Sequence, residues 1–353
     1  MVYINTGAIL RAVRLEDYGK NVVVREVPEP AVERNDDVVV KVQAAGVCRT
    51  DLHIIGGMMK EATGNPGLPF TLGHENVGTV HARGSGVSGL ELGDQVILHP
   101  QISCGICLTC RNGDDMHCVH SRSPGLDGTD GGFAEYVKAS ERSVVKLKKG
   151  TDPVEVAPLA DAGVTVYHAV RKILPYARPD SYIAVIGLGA LGQIAVQLLK
   201  NMTNSNIIGI DKSEQKLGMA EKLGANWVFP SGDDGGVKEA LKVTGAKGAD
   251  IVMDFVGENN TPASALSMIG RGGIYSVVGY GGEINLKTLQ LVGMELSVLG
   301  NLVGTYRDLV DLMSLYYQGK VKIETRTFSL DDASTALSEL SRGEIRGRAV
   351  LLP

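Results

Sequence analysis

Four of the five cysteines in the chain are spaced as metal ligands. They follow the pattern C-x2-C-x2-C-x7-C, at Cys104, Cys107, Cys110 and Cys118. Two-residue gaps let neighbouring thiolates converge on one ion, as tetrahedral zinc with Zn–S bonds of about 2.3 Å requires. His117 or His120 could replace the last sulfur, but four thiolates form the simpler set. We predict a closed, structural zinc site in a lobe at residues 100–120.

A glycine-rich turn between an apolar strand and an apolar helix is the second chemical pattern. The sequence SYIAVIGLGALGQIAVQLLK contains G-x-G-x-x-G, and this order of strand, turn and helix is typical of a dinucleotide cradle. Gly187 makes the tight turn, Gly189 admits the pyrophosphate, and Gly192 lets the helix pack on the strand. The positive end of the helix dipole faces the phosphates. The predicted phosphate loop comprises Gly187, Leu188, Gly189, Ala190, Leu191 and Gly192.

An acidic residue ends the next strand. The run N-I-I-G-I-D places Asp211 19 residues after Gly192, where a carboxylate accepts hydrogen bonds from the adenosine ribose. A ribose 2′-phosphate about 4 Å away would be repelled by roughly 4 kcal/mol per unit charge as an upper estimate, and Lys212 offsets part of this. We therefore predict NAD(H) rather than NADP(H). Asp211 could also cap the helix that starts at Ser213, which is compatible with the ribose role.

Strand-like and helix-like segments alternate after residue 181. Helices are predicted near 213–223, 236–243 and 261–269, between runs such as D-I-V-M-D-F-V-G. This alternation predicts a parallel, doubly wound sheet, whose ligands lie at the carboxyl ends of the strands. The residues predicted to line the nicotinamide site there are Val256, Gly257, Val278, Gly279, Asn301 and Val303. Residues 1 to about 160 hold short β runs separated by Gly and Pro turns instead.

Composition excludes several classes of protein. The chain has 353 residues, which suggests about two domains, and a net charge of −5 with no basic run. It therefore lacks the electrostatic signature of a nucleic-acid or membrane-surface protein. A hydrophobic fraction of 44% excludes disorder, and no segment is predicted to span a membrane. The first residues lack the pattern of a secretion signal, so we expect a cytoplasmic location.

The segment GHENVGTVHARGSGV, residues 73–87, resembles the signature of zinc-containing alcohol dehydrogenases. The resemblance to the medium-chain dehydrogenase/reductase superfamily extends over essentially the whole chain, including C-R-T-D-L-H at residues 48–53 and the four-cysteine lobe. Bacterial and archaeal zinc alcohol dehydrogenases are the most similar members. It implies an α/β protein with a GroES-like catalytic domain at 1–160, completed by 300–353, and a Rossmann NAD-binding domain at 161–299.

The resemblance also implies a second, catalytic zinc that keeps one coordination position open. Cys48 and His74 match its first two ligands, and Asp161 matches the third, where the better-known members carry Cys. Asp51 matches the carboxylate that accepts the other ring N–H of the histidine. Glu75 is next to His74 and could approach the metal when substrate or water exchanges. Each subunit would then hold two zinc ions.

The mechanism implied by the family is hydride transfer between an alcohol and NAD(H). Zinc lowers the pKa of the alcohol oxygen as a Lewis acid, and Thr50 and His53 match the relay that carries the proton to solvent. Arg49 and Arg348 match residues that contact the coenzyme pyrophosphate.

Several alternatives stay open at this stage. A polyol, sugar or threonine dehydrogenase of the same superfamily is the alternative enzyme, and a catalytically silent dehydrogenase-fold binding protein is the alternative from another class. The expected partner is a small alcohol, aldehyde or ketone. A homo-oligomer is also expected, with four subunits favoured over two.

Overall fold

The structure, a computed structural model, describes residues 8–58, 60, 67–234 and 236–353. The first seven residues, which include most of the segment considered as a secretion signal, lie outside this range. The chain divides into two compact units. The first comprises Met1–Ala162, Thr305–Asp311 and Ile323–Pro353, and the second comprises Gly163–Gly304 and Leu312–Lys322.

The N-terminal part of the chain is built mainly from β strands. Its elements are β1 (Ile9–Leu15), β2 (Val23–Pro28), β3 (Asp37–Val47), α1 (Arg49–Ile55), β4 (Phe70–Thr71), β5 (Glu75–Arg83), β6 (Gln95–Leu98), α2 (Leu108–Arg111), β7 (Tyr136–Ser140), β8 (Val144–Lys146) and α3 (Pro153–Val156). Val13 of β1, Val40 of β3 and Val80 of β5 are buried in one hydrophobic core. Short strands separated by Gly and Pro turns were expected here, and the structure contains them.

Strands and helices alternate in the middle of the chain. The elements are α4 (Ala162–Ile173), β9 (Tyr182–Ile186), α5 (Ala190–Met202), β10 (Asn206–Asp211), α6 (Glu214–Leu223), β11 (Trp227–Pro230), α7 (Val237–Val243), β12 (Ala249–Asp254), α8 (Thr261–Met268), β13 (Ile269–Val277), α9 (Thr288–Met294) and β14 (Ser297–Gly300). The chain ends with α10 (Tyr306–Tyr317), β15 (Thr325–Ser329), α11 (Ala333–Arg342) and β16 (Arg348–Leu352).

Strand register in the first unit brings distant residues together at the end of β3. The seven-stranded sheet has the order β15-β16-β3-β5-β6-β8, with β7 also pairing with β3. Within it, Gly46 pairs with Glu75 of β5 and with Val350 of β16. The residue after β3 is Cys48, the residue before β5 is His74, and the first residue of β16 is Arg348. One corner of the sheet therefore carries several of the predicted site residues.

The second unit contains a six-stranded parallel sheet of order β11-β10-β9-β12-β13-β14. Its core includes Ile186, Ile208 and Val252. The chain order along the sheet reverses at β9, because β10 and β11 follow on one side of it and β12, β13 and β14 on the other. In such sheets ligands bind at this point, outside the carboxyl ends of the strands. This confirms the predicted doubly wound α/β class.

The last part of the chain is divided between the units. The sequence predicts that the chain returns to the first domain at residue 300. In the structure, Leu312–Lys322 belongs to the second unit. Gln197 of α5 holds this segment: its Nε2 donates to the Lys322 carbonyl at 2.8 Å, and its Oε1 accepts from the Lys322 amide at 2.9 Å. None of the helices that the structure describes is long and apolar enough to cross a lipid bilayer.

Candidate functional site

Cys48, His74 and Asp161 converge in the first unit. His74 Nε2 lies 3.4 Å from Asp161 Oδ2, and Cys48 Sγ lies 3.9 Å from the same oxygen. Together with one oxygen of Glu75, these ligand atoms all lie within 4.8 Å of one another. Bonds of 2.0–2.3 Å to one tetrahedral ion would separate the ligand atoms by about 3.3–3.8 Å. The spacing therefore suits a single zinc ion.

Helix α1 positions Cys48. Cys48 is the N-cap of the helix, and its backbone N–H donates to Asp51 Oδ2 at 2.8 Å. The other oxygen of Asp51 lies 3.4 Å from His74 Nδ1. One oxygen of the buried Asp51 side chain thus holds the backbone of Cys48, and the other faces the His74 ring, on the side where a carboxylate fixes the tautomer of a metal-bound histidine.

The electrostatics of this pocket favour a cation. Burial is the largest influence on the pKa of His74 and lowers it, but Asp51, Asp161 and Cys48 together raise that pKa well above its ordinary value. Both ring nitrogens are buried and have no hydrogen-bond partner among the residues that the structure describes. A thiol, an imidazole and a carboxylate are all ligands that zinc accepts. The residues present therefore fit a zinc ion.

Glu75 links the segments that carry the three ligands. Its Oε1 accepts the Ala162 N–H at 3.0 Å, next to Asp161, and its Oε2 accepts from Arg348 Nε at 2.9 Å. Arg348 Nη2 also donates to Oε1, which completes a bidentate ion pair. A Cβ added to Gly46 would lie 2.0 Å from Glu75 Oε2, so only glycine leaves room for this carboxylate.

These contacts give Glu75 and Arg348 a structural role that the sequence did not predict. Arg348, predicted to contact the pyrophosphate, is buried and donates to Glu75 through two nitrogens. Glu75, predicted to approach the metal, has both oxygens engaged by Arg348 and the Ala162 amide. Burial raises the pKa of Glu75, and the charge of Arg348 opposes this effect in part. The pyrophosphate contact and the metal exchange role stay predictions.

The predicted relay residues Thr50 and His53 both lie on α1, three residues apart, so their side chains project from one face of the helix. Arg49 is the exposed first residue of the same helix. The structure thus places all three beside Cys48, and their roles toward a coenzyme stay predictions.

The four cysteines of the lobe form a second cluster in the first unit. Cys107 Sγ lies 3.4 Å from Cys110 Sγ and 3.9 Å from Cys118 Sγ, close to the edge of about 3.8 Å in a Zn–S4 tetrahedron. Backbone amides point at the sulfurs, with Cys104 N 3.3 Å from Cys118 Sγ and Cys107 N 3.4 Å from Cys104 Sγ. All four are free thiols. No position is left for a substrate, so this donor set fits structural zinc.

Local hydrogen bonds favour the ionised, thiolate form of Cys104 and Cys107. The Thr109 hydroxyl is the main cause that lowers the pKa of Cys107 to about 5. Backbone amides, first that of Ile106, lower the pKa of Cys104. Burial raises the pKa of Cys110 to about 12. A bound cation would favour ionisation of the Cys110 thiol.

The glycine-rich loop in the second unit has the conformation that a phosphate cradle needs. Gly187 adopts φ +87°, and a Cβ added to Gly192 would lie 2.0 Å from the Gly187 carbonyl oxygen. Nothing lies within 4 Å of a Cβ added to Gly189, which leaves that point open to a ligand. Helix α5 begins at Ala190 with Leu191 in its first turn. The loop therefore ends at a helix N-terminus, as an anion site requires.

Asp211 lies at the end of β10 and holds this loop. Its Oδ2 accepts the Leu188 N–H at 2.7 Å, and its Oδ1 accepts the Ser213 N–H at 3.0 Å. Asp211 does not cap the helix, because Ser213 is the N-cap of α6 and the Asp211–Ser213 bond closes a turn in front of it. The ribose role stays a prediction. Each oxygen keeps a lone pair for a ribose hydroxyl, and Lys212 next to it is exposed.

The residues predicted to face the nicotinamide follow β12, β13 and β14 directly. Gly257 is pressed against Gly279, since a Cβ on Gly257 would lie 2.0 Å from the Gly279 carbonyl oxygen. Asn301 Nδ2 donates to Ser276 Oγ at 3.0 Å and to the Val277 carbonyl at 2.9 Å. The same edge of the sheet carries the whole predicted set: Val256, Gly257, Val278, Gly279, Asn301 and Val303.

A cavity adjoins the metal cluster within the first unit. Its walls include His74 and the buried His99. The other lining residues are mixed, with apolar Leu98, Pro100 and Ile102 beside polar Asn76 and Ser143. His99 Nδ1 lies 3.2 Å from the Gln101 carbonyl. The sequence assigned no role to His99 or Pro100, and only the fold places them beside His74.

Comparison with known proteins agrees with this geometry. Residues 34–149 match the family described as alcohol dehydrogenase GroES-like domain, and residues 190–317 match the family described as zinc-binding dehydrogenase. Over 348 residues the chain is 34% identical to the NAD-dependent alcohol dehydrogenase of Sulfolobus acidocaldarius, covering 97% of this chain and 99% of that protein. The chain belongs to the zinc-type medium-chain alcohol dehydrogenase family. The family resemblance and the GroES-like plus Rossmann fold class are thereby confirmed.

Two further relatives of this alcohol dehydrogenase family member have names that give different substrates. The crystal structure of the alcohol dehydrogenase from Aeropyrum pernix superposes with a TM-score of 0.94 at 46% identity, covering 98% of this chain and 100% of that one. The D-arabinose 1-dehydrogenase (NADP+) of Saccharolobus solfataricus is 34% identical, with 97% of each chain covered. The chain is thus similar both to alcohol dehydrogenases and to a sugar dehydrogenase.

Sequence reasoning missed some residues that shape the site. Gly46, the Ala162 amide and the Arg348 side chain together fix the position of Glu75. The signal for Gly46 was present, because a glycine in a strand two residues before a ligand indicates close approach by another group. The pairing of Glu75 with a residue 273 positions away had no local signal.

Proposed function

We propose that this protein is an NAD-linked, zinc-dependent alcohol dehydrogenase or ketone reductase that transfers hydride between a primary or secondary alcohol and NAD. The observation that carries the proposal is the buried convergence of Cys48 Sγ, His74 Nε2 and Asp161 Oδ2 on one point. Three protein ligands with an open fourth position are typical of catalytic rather than structural zinc.

Zinc bound there supplies Lewis acidity, which lowers the pKa of an alcohol oxygen toward neutrality. Asp51 keeps the His74 ring oriented for ligation. Thr50 can donate and accept a proton through its hydroxyl, and His53 on the same face of α1 can exchange it with water, since its ordinary pKa is near 6.5. Glu75 and Arg348 hold the backbone beside Asp161 in place.

Coenzyme choice rests on Asp211. Its carboxylate follows β10 and is already bonded to the Leu188 amide of the phosphate loop. A 2′-phosphate, with a charge of about −1.5 to −2, would meet this carboxylate, whereas a ribose hydroxyl would donate to it. This favours NAD(H) over NADP(H), and it agrees with the NAD-dependent relative from Sulfolobus acidocaldarius.

A sugar dehydrogenase is the second candidate, because a D-arabinose 1-dehydrogenase is as similar in sequence as the NAD-dependent alcohol dehydrogenase of Sulfolobus acidocaldarius. Overall similarity favours the first candidate, because the Aeropyrum pernix alcohol dehydrogenase is 46% identical to this chain and the D-arabinose 1-dehydrogenase is 34% identical.

Initial rates with a substrate panel test the proposal. Purified, zinc-replete protein is assayed with primary alcohols, secondary alcohols, D-arabinose, glucose, sorbitol and threonine, each with NAD+ and NADP+. We expect the highest kcat/KM for an apolar alcohol with NAD+. Turnover of the polar substrates alone would instead assign the sugar or polyol reaction, and no turnover at all would favour a silent binding protein.

We also propose that the chain works in the cytoplasm as a homo-oligomer, with four subunits rather than two. Free thiols at all five cysteines suit a reducing compartment. Leu289 and Val292 of α9, the helix that precedes the edge strand β14 in the chain, are 82% and 76% exposed, and such apolar surface is typical of subunit contacts. Light scattering coupled to size-exclusion chromatography measures the subunit number, and a monomeric mass would contradict this proposal.

A further inference from the structure

Asp254, the last residue of β12, is a fully buried carboxylate with hydrogen bonds to two loops. Its Oδ1 accepts the N–H groups of Val256 and Gly257, each at 2.9 Å, and its carbonyl oxygen accepts those of Val278 and Gly279 at 2.9 and 3.0 Å. One residue thus holds the loop after β12 and the start of the loop after β13.

The third side-chain bond to Asp254 comes from Tyr275, near the end of β13. The Tyr275 hydroxyl donates to Asp254 Oδ2 at 3.0 Å, and the tyrosine is itself fully buried. If this ring only filled space, phenylalanine would pack equally well and would avoid the cost of burying a hydroxyl group. Burial, aided by Asp254, raises the pKa of Tyr275 and keeps it a proton donor.

The two loops form one layer against the phosphate turn. Gly282 N donates to the Gly257 carbonyl at 2.8 Å, and Gly257 has φ +62° and contacts Gly279 without room for a Cβ. Val256 contacts Gly187, since a Cβ added to Gly187 would lie 2.5 Å from Val256 Cγ2. A shift of Asp254 would therefore move Val256 relative to the glycine-rich loop.

We propose that Tyr275 and Asp254 are positioning residues for the nicotinamide end of the coenzyme. The Tyr275 hydroxyl holds Asp254 Oδ2, which leaves Oδ1 aimed at the amides of Val256 and Gly257 and fixes the surface that these loops present. The inference rests on the proposed NAD-linked function, because only a coenzyme seated on the glycine-rich loop would contact that surface.

Tyr275→Phe tests the proposal, because it removes one hydroxyl and keeps the ring. We expect the KM for NAD+ to rise about threefold to tenfold, the range for one lost hydrogen bond, while the KM for the alcohol at saturating NAD+ changes by less than twofold. Tyr182→Phe is the matched control. It makes the same change in β9 of the same sheet, where the ring centroid lies 6.0 Å from that of Trp227, and it should leave both constants unchanged.

A second measurement uses the protein without coenzyme. Hydrogen exchange of the Val256 and Gly257 amides should be slow in the wild type before NAD+ is added, and at least tenfold faster in Tyr275→Phe. Fast exchange in the wild type, or a Tyr275→Phe variant that loses thermal stability but keeps its KM for NAD+ and its amide protection, would overturn the proposal. A wild type that binds no NAD+ yet shows protected amides would overturn the proposed function and with it the coenzyme role of Tyr275.

Discussion

Replacing Arg348 by methionine would leave Glu75 as an unpaired carboxylate inside the first unit. Arg348 is 4% exposed and Glu75 is 0% exposed, and they form a bidentate ion pair. Removing one partner of a buried pair costs about 3–5 kcal/mol. For a unit of roughly 200 residues, 1 kcal/mol lowers the Tm by about 2–4 °C. We therefore expect Arg348→Met to lower the Tm by about 6–20 °C.

Scanning calorimetry and zinc content on the same samples provide the assay. Arg342→Met is the matched control, because Arg342 makes the same two-nitrogen contact with Glu344, at 2.8 Å for each bond, but on the surface. Exposed pairs contribute little, so the control should not shift the Tm measurably. The double variant Glu75→Gln/Arg348→Met should recover part of the loss, because no buried charge is left unpaired and Gln can still accept the Ala162 N–H.

Two results would refute this reasoning. If Arg348→Met shifts the Tm no more than Arg342→Met, the buried pair does not stabilise the first unit. If the double variant is as unstable as the single one, an unpaired carboxylate is not the cause of the loss. A normal zinc content in Arg348→Met would in addition show that Glu75 does not need Arg348 in order to hold the segment that carries Asp161.

Three further predictions follow from the structure. Cys110→Ser should lower the Tm and reduce the zinc content from two ions per chain to one, whereas His74→Ala should lose one zinc and all turnover with little change in Tm; retained activity in His74→Ala would contradict its ligand role. Asp211→Asn keeps an acceptor for the phosphate loop but removes the charge, so the ratio of kcat/KM for NADP+ to that for NAD+ should rise at least tenfold, and an unchanged ratio would remove the basis for choosing NAD. Lys146, 2.6 Å away, is the main cause that lowers the pKa of Asp94. A depressed carboxyl pKa stabilises the fold fully above the unfolded value of about 3.9, and this stabilisation is lost as pH falls through the lower pKa of the folded state. Asp94→Asn should therefore have a lower urea midpoint than the wild type at pH 7, and the difference should shrink as the pH falls below about 3.9.

Much of the second unit was predictable because its signals are local. Periodic apolar runs indicated β9, β10, β12, β13 and β14, and the predicted helices at 213–223, 236–243 and 261–269 agree with α6, α7 and α8 within two residues at each end. Gly187 and Gly192 have the conformation and the close contact that their motif predicts. Strand, turn and helix are adjacent in the chain, so their sequence alone carries this geometry.

The metal centre was predictable only through family resemblance. Cys48 and His74 are 26 residues apart and Asp161 follows 87 residues later, and no periodicity brings such distant residues together. The register of β3 and β5, which pairs Gly46 with Glu75, supplies the missing link. Arg348 reaches this site because β16, near the end of the chain, pairs with β3. The local sequence does not indicate a strand partner so far away in the chain.

Transfer of deuterium from substrate to coenzyme tests the central claim most directly. Zinc-replete protein is incubated with 2-deuterated propan-2-ol and NAD+, and the reduced coenzyme is analysed by mass spectrometry while the zinc content is measured in parallel. We predict two zinc ions per chain, reduced coenzyme that carries one deuterium, and neither product nor label in the His74→Ala variant. A protein with both zinc sites filled that transfers no deuterium from this or any other labelled alcohol, to NAD+ or to NADP+, would contradict the account.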